Sequence, residues 1–142
     1  MTTDNTAAIL EIMRLNARYN FSVDAADGPA WADCFTRDGV FYALLEGHTP
    51  KGADELSAFV PVLVEAFGTM HHLTTNEIID VDGDTATQTC YLQFFVANKG
   101  LTQGSLCVYH DELAREDGAW KFVSRRVDFK RPFTTLTDDD AA

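Results

Sequence analysis

The sequence predicts an α+β fold: a cone-shaped, strongly curved, mostly antiparallel sheet, wrapped by about three helices from the N-terminal half and enclosing a pocket. Three observations carry this. In the first half, apolar residues recur at three- and four-residue spacing, the signature of helices. From His71 onward the pattern shifts to runs rich in Thr, Tyr, Phe and Val. Short turns at Asp82-Gly83-Asp84, Asn98-Lys99-Gly100 and Glu116-Asp117-Gly118 divide that half into antiparallel strands. Helices segregated from an antiparallel sheet form an α+β domain.

The elements follow in order. The first helix runs from Asp4 to about Ser22, capped by Asp4 or Asn5. Ile9, Ile12, Met13, Asn16, Tyr19, Asn20 and Val23 share one of its faces, which turns polar towards the C-terminal end and so looks into a cavity. Asp27 caps a short second helix, Pro29 suits its first turn, and Trp31 and Phe35 lie four apart. Asp38-Gly39 reads as a turn before a short strand at Val40–Leu45, and Gly47 to Gly52 as a loop. A third helix over Ala53–Phe67 presents Leu56, Phe59, Val60 and Leu63, and Pro61 should kink or break it. Four strands follow: His71–Val81, Thr85–Ala97, Ser105–Arg115 and Trp120–Phe129. A chain of 142 residues fits a single domain over 1–142, with a core of about 7–131 and a frayed acidic tail at 134–142.

Composition excludes several classes. With 11 Lys and Arg against 22 Asp and Glu the formal charge is −11, which repels nucleic acid and anionic membranes. No stretch approaches 18 uninterrupted apolar residues, and the N-terminus shows no signal-peptide pattern. The three cysteines lack metal-ligand or disulfide spacing, so no metal site is expected and the cytoplasm is the expected setting. Phosphate-loop, dinucleotide, zinc-protease and nucleophile-elbow motifs are absent, and no cofactor is expected.

Alternation marks the candidate site. In the last strand Val123, Arg125, Val127 and Phe129 share a face, while Phe122, Ser124, Arg126 and Asp128 share the other. Arg125 interrupts an apolar row, so it needs a carboxylate, a backbone carbonyl or a ligand anion; a structural ion pair and an anion site are both open. His71 and His72 point to opposite faces, one of them inward, as a hydrogen-bonded core residue or as a base. Asp24 ends the first helix, where it either starts a turn or meets a histidine. Cys107 and Tyr109 share a strand face, and Tyr109 either donates a hydrogen bond into the cavity or packs. His48 and His110 read as surface residues.

Three segments in order carry a family resemblance. They are RYNFSVDAADGPAWADCFTRDGVF, MHHLTTNEIIDVDGDTATQTCYLQF and YHDELAREDGAWKFVSRRVDF. Together they resemble the SnoaL-like branch of the nuclear transport factor 2-like superfamily, over about Ile9 to Phe129. Within it they are most similar to scytalone dehydratase and hexachlorocyclohexane dehydrochlorinase. The resemblance implies an Asp24–His72 pair in which His72 removes a proton, and it puts Arg125 at the position of a pocket arginine of the dehydrochlorinase. Val23 stands where the dehydratase has Tyr, apolar residues near Val96 where it has a second pocket His, and Tyr19 where the dehydrochlorinase has Lys.

The function implied is a cofactor-independent acid–base enzyme, a lyase of dehydratase or dehydrohalogenase type. Its substrate would be a small, largely apolar cyclic molecule. Asp24, His72 and Arg125 are the catalytic candidates; Tyr19, Val23, Leu92, Phe94, Val96, Cys107, Tyr109, Val123, Val127 and Phe129 are the substrate-binding candidates. The alternatives are a polyketide cyclase or ketosteroid-type isomerase using the same base, and a non-catalytic domain binding a hydrophobic ligand. The resemblance also implies a homo-oligomer, dimer or trimer, formed through an outer sheet face that would carry Phe122 and Tyr91.

Overall fold

A long amphipathic helix organises the chain. The computed structural model describes residues 4–43, 47–98 and 101–131, and the statements that follow concern those residues. Helix α1 spans Thr6–Asp24, and its first free backbone N–H, that of Thr6, is taken by Asp4 Oδ1 at 2.9 Å. The buried stripe is Ala8, Ile12, Leu15, Asn16, Tyr19, Asn20 and Val23. Met13, expected on that face, is exposed, and Leu15 takes its place. Burying each large apolar side chain contributes about 1.5–3 kcal/mol. The helix stops just after Asp24: the Asp27 N–H bonds the Ser22 carbonyl at 2.9 Å and the Ala26 N–H bonds that of Val23 at 3.0 Å. Ala26 stands between them at φ 58°, the left-handed cap residue of a Schellman motif. This cap fixes Asp24 in the last turn, as the residue that ends the helix.

Helix α2 is Gly28–Ala32, with Asp27 Oδ1 accepting from the Ala30 N–H at 3.0 Å. Gly28 lets α2 approach helix α3 (Gly52–Phe67) closely, since a Cβ there would lie 2.5 Å from the Ser57 carbonyl oxygen. Helix α3 continues through Pro61 to Phe67 as one helix, so of the two expectations, kink or break, the break does not occur.

Strand β1 is Phe35–Tyr42, not Val40–Leu45: an irregularity between Phe35 and Val40 absorbs Asp38-Gly39 within the strand. Positions 44–46, which include the expected end of that strand, lie outside the described residues, as do the Lys99-Gly100 turn and the tail from 132. The remaining strands are β2 (Thr69–Asp82), β3 (Thr85–Asn98), β4 (Leu101–Glu116) and β5 (Ala119–Arg131). They form one curved, open sheet in the order β1-β5-β4-β3-β2, antiparallel except for the parallel β1–β5 pair. Asp117 at φ 51° and Gly118 at φ 81° make the β4–β5 turn, both left-handed as a type I′ hairpin requires. The core fills the space between the helices and the sheet's inner face, around the rings of Tyr19, Trp31, Phe35, Phe41, Phe59 and Phe122.

Two bulges decide which side chains face that core. On β2, three steps from Thr75 to Ile78 match two on β3, from Tyr91 to Thr89, and Asn76 sits at φ 59°. The extra residue reverses the strand's parity: His72 and Thr74 point inward before it, Ile79 and Val81 after it. On β5, Phe122 pairs with Leu113 and Ser124 with Glu112, leaving Val123 extra. Phe122 is therefore buried with Arg125 and Val127, not on the outer face as expected, while Tyr91 does stay exposed. A β-branched residue is strained in the left-handed region. Asn76→Val is thus expected to lower stability by about 1–2 kcal/mol and Asn76→Gly to leave it near wild type, as read by urea unfolding.

Candidate active site

The site begins where α1 ends. An aspartate at a helix C-terminus opposes the helix dipole, so Asp24 needs donors. Strand β2 supplies them. The His72 backbone N–H donates to Asp24 Oδ2 at 3.0 Å, and His72 Nδ1 lies 2.6 Å from Asp24 Oδ1. A carboxylate accepts, so this contact calls for a proton on Nδ1; in the neutral imidazole the lone pair is then on Nε2. The ring also packs against Phe94, with centroids 4.6 Å apart. The side chains of His72 and Asp24 are 9% and 18% exposed, so the pair is held in a mostly dry setting. His71, on the opposite face of β2, is exposed; so are His48 and His110.

His72 lines a cavity of about 340 Å³. Of the expected wall residues, Tyr19, Val23, Leu92, Phe94, Tyr109, Val127 and Phe129 line it as well. Three do not. Val123 is the extra residue of the β5 bulge and lines a separate surface groove. Val96 is buried opposite Met70, which takes the lining position. Cys107 stands between Leu92 and Phe129 in the sheet, and those two larger side chains form the wall there. Phe41, Ala43, Leu63, Phe67 and Met70 are the other described residues of the lining. Met70 was within reach of alternation, being two residues before His72. The polar side chains of the lining are His72, Tyr19 and Tyr109. Burial pushes the Tyr19 phenol up to about 12 and that of Tyr109 well above its ordinary value, so both are neutral hydrogen-bonding groups.

Arg125 corrects the expectation of a pocket cation. It is fully buried and absent from the cavity lining. Its Nε donates to Asp111 Oδ1 and its Nη2 to Asp111 Oδ2, both at 2.8 Å. Nη2 also donates to Asn16 Oδ1 at 3.0 Å. Gln88 closes the network, donating to Asp111 Oδ2 at 2.7 Å and accepting from Asn16 Nδ2 at 2.7 Å. The guanidinium is caged by rings, 3.8 Å from the Tyr109 centroid, 4.0 Å from Phe122 and 4.5 Å from Tyr19. Burial pulls its pKa down, but Asp111 and these contacts more than offset that, so the net direction is up and the charge is permanent. Arg125 is an ion-pair partner beneath the two tyrosines, and it does not touch the cavity.

Burial pushes the Cys34 thiol up to about 11 and Cys90 to about 12, and raises Cys107, which disfavours the thiolate form in all three. Among the described residues no cluster of three His, Cys, Asp or Glu side chains is placed to hold a metal ion. No described helix is long and apolar enough to cross a membrane.

The model of the SnoaL-like domain matches residues 4–126. A Mycobacterium tuberculosis protein of unknown function is 31% identical, over 96% of this chain and 77% of the other, with a TM-score of 0.81. A candidate scytalone dehydratase from Novosphingobium aromaticivorans is 19% identical over 94% and 90% of the two chains, with a TM-score of 0.80. A type 2 hexachlorocyclohexane dehydrochlorinase is 20% identical over 93% and 90%, with a TM-score of 0.81. At those two identities the likeness is one of fold. No curated protein matches the sequence.

Proposed function

The chain belongs to the SnoaL-like domain family, and from that premise we propose that it is an acid–base enzyme of the lyase class, with His72 as its general base. His72 Nε2 takes a proton from a carbon of the substrate, the C–H electron pair forms a C=C bond, and a neighbouring halide leaves, or a neighbouring hydroxyl leaves as water with the proton returned by the imidazolium. Asp24 holds the imidazole in the Nδ1–H tautomer and stabilises the imidazolium that forms, the part an aspartate plays in a catalytic triad. Tyr19 and Tyr109 hydrogen-bond to oxygen on the substrate as charge develops. The Arg125 charge reaches the site only through their rings.

One observation carries the reading: a histidine that lines an apolar cavity has one nitrogen tied to a carboxylate at 2.6 Å and the other free. A structural histidine has no need of a cavity. Among the described residues the lining bears no permanent charge, which suits an uncharged substrate. It is small and largely apolar, a ring bearing one or two oxygens or halogens, as the volume and the phenols suggest.

The test is turnover of a panel of neutral cyclic alcohols, ketones and halides, read by mass spectrometry. Loss of water or hydrogen halide from a panel member supports the lyase; a product of unchanged mass would make the same base an isomerase or cyclase. The almost wholly apolar wall favours a second reading, a hydrophobic-ligand carrier. Tight binding with no chemistry on any member would establish that instead.

A further inference from the structure

Helix α1 and strand β2 run past each other in opposite directions, and their polar side chains meet in steps. Asp24 meets His72. One helical turn earlier, Asn20 Nδ2 donates to Thr74 Oγ1 at 3.2 Å. Four helix residues rise about 6 Å, and two strand residues advance about 6.6 Å. The two spacings match, so a helix tied at Asn20–Thr74 delivers Asp24 to His72. A slide of the helix along the strand would stretch and misalign the 2.6 Å contact.

Beyond the His72 bonds to Asp24 itself, the backbone N–H among them, Asn20–Thr74 is the side-chain bond between the last turns of α1 and β2 among the described residues. Val23 contributes packing that has no direction, and the Tyr19 side chain hydrogen-bonds to Tyr109 on β4 and to Trp31, not to β2. Asn16 bonds to Gln88 on β3 and Arg125 on β5, not to β2. Asn5 reaches the β2 carbonyl of Val81 at 3.4 Å, but at the far end of the helix. Asn20 is 8% exposed, and its Oδ1 has no hydrogen-bond partner. A buried amide with one orphan oxygen costs stability relative to an apolar side chain of similar shape. Its single bond supplies direction instead. The hydroxyl of Thr74 both donates and accepts, so either orientation of the amide makes that bond.

We propose that Asn20 and Thr74 are positioning residues that set the height of α1 on β2, and through it the Asp24–His72 hydrogen bond. The catalytic consequence rests on the reading of His72 as a base; the bond itself does not, and it is what the experiment reads. In the full-length, ¹⁵N-labelled protein, proton NMR follows the His72 Nδ1–H resonance and its exchange with solvent. Wild type should show a downfield, slowly exchanging proton. Thr74→Val, which keeps the shape and removes the hydroxyl, and Asn20→Leu should each move it upfield and speed its exchange about tenfold, as expected for the loss of one hydrogen bond. Thr74→Ser, which restores the hydroxyl, should return it to wild type. Thermal unfolding of the same variants separates a merely structural role, which would change stability and leave the resonance in place. An unchanged resonance in folded Thr74→Val or Asn20→Leu, or a resonance lost equally in Thr74→Ser, overturns the assignment. A wild type with no protected Nδ1–H overturns it together with the Asp24–His72 bond. Absence of turnover on every substrate, with the resonance behaving as described, overturns only the enzymatic reading.

Discussion

Replacing His72 by alanine is expected to lower turnover of the best panel substrate by about 10²–10⁴-fold, the range supplied by a positioned general base. The fold should survive, because the change removes a side chain at a cavity wall and leaves the β2–β3 ladder intact. Asp24→Asn is the sharper variant. Its amide oxygen can still accept from the His72 backbone N–H. Its amide nitrogen can only donate to Nδ1, which then has to be the unprotonated nitrogen. The proton moves to Nε2, the atom that faces the cavity, and the base is lost with almost no change of shape. The expected loss is again about 10²–10⁴-fold, in kcat more than in KM, since ground-state contacts with the substrate are untouched. Circular dichroism and the rate profile of the two variants check this, and wild-type kcat in both would remove the pair from the mechanism.

The second large effect concerns stability. Arg125 and Asp111 are both fully buried at the side chain and bonded edge to edge. Arg125→Met leaves an uncompensated carboxylate in the core, which should cost about 3–5 kcal/mol in urea unfolding. Asp111→Leu should cost a similar amount by stranding the guanidinium. The double variant Arg125→Met/Asp111→Leu strands no charge and is expected to recover most of either loss. A double variant no more stable than the worse single one would show that the network with Asn16 and Gln88, and not the pair, carries the energy.

How far the chain is legible before folding depends on the residue. Helices and strands follow their periodicities, and the element order, helix, helix, strand, helix and four strands, is the one expected. Alternation detected Arg125 as out of place, and the same alternation on β4, extended from Cys107 and Tyr109 by two residues, reaches its partner Asp111. Parity is where local reading fails. Had the apolar Ile79 and Val81 been used to orient β2, they would have placed His71 inside. The Asn76 bulge reverses that, and neither glycine nor proline announces it in the sequence. The β5 bulge at Val123 misled in the same way, placing Val123 on the wall and Phe122 outside. Bulges re-aim side chains near functional sites, and here one lies on the strand of His72 and the other on the strand of Arg125. Asp24 and His72 are 48 residues apart, with no periodicity linking them. Their pairing came from the family resemblance, and the contact between them is present in the fold. What this contact does chemically is the proposal.

That proposal is a base acting on carbon, and carbon acidity can be measured without knowing the leaving group. Neutral cyclic ketones and halides incubated with the protein in D₂O should gain one mass unit at the acidic carbon, or eliminate, when His72 is present. They should do neither with His72→Ala. Equal deuterium uptake or elimination with wild type and His72→Ala, or neither with wild type across the panel, would contradict the central claim.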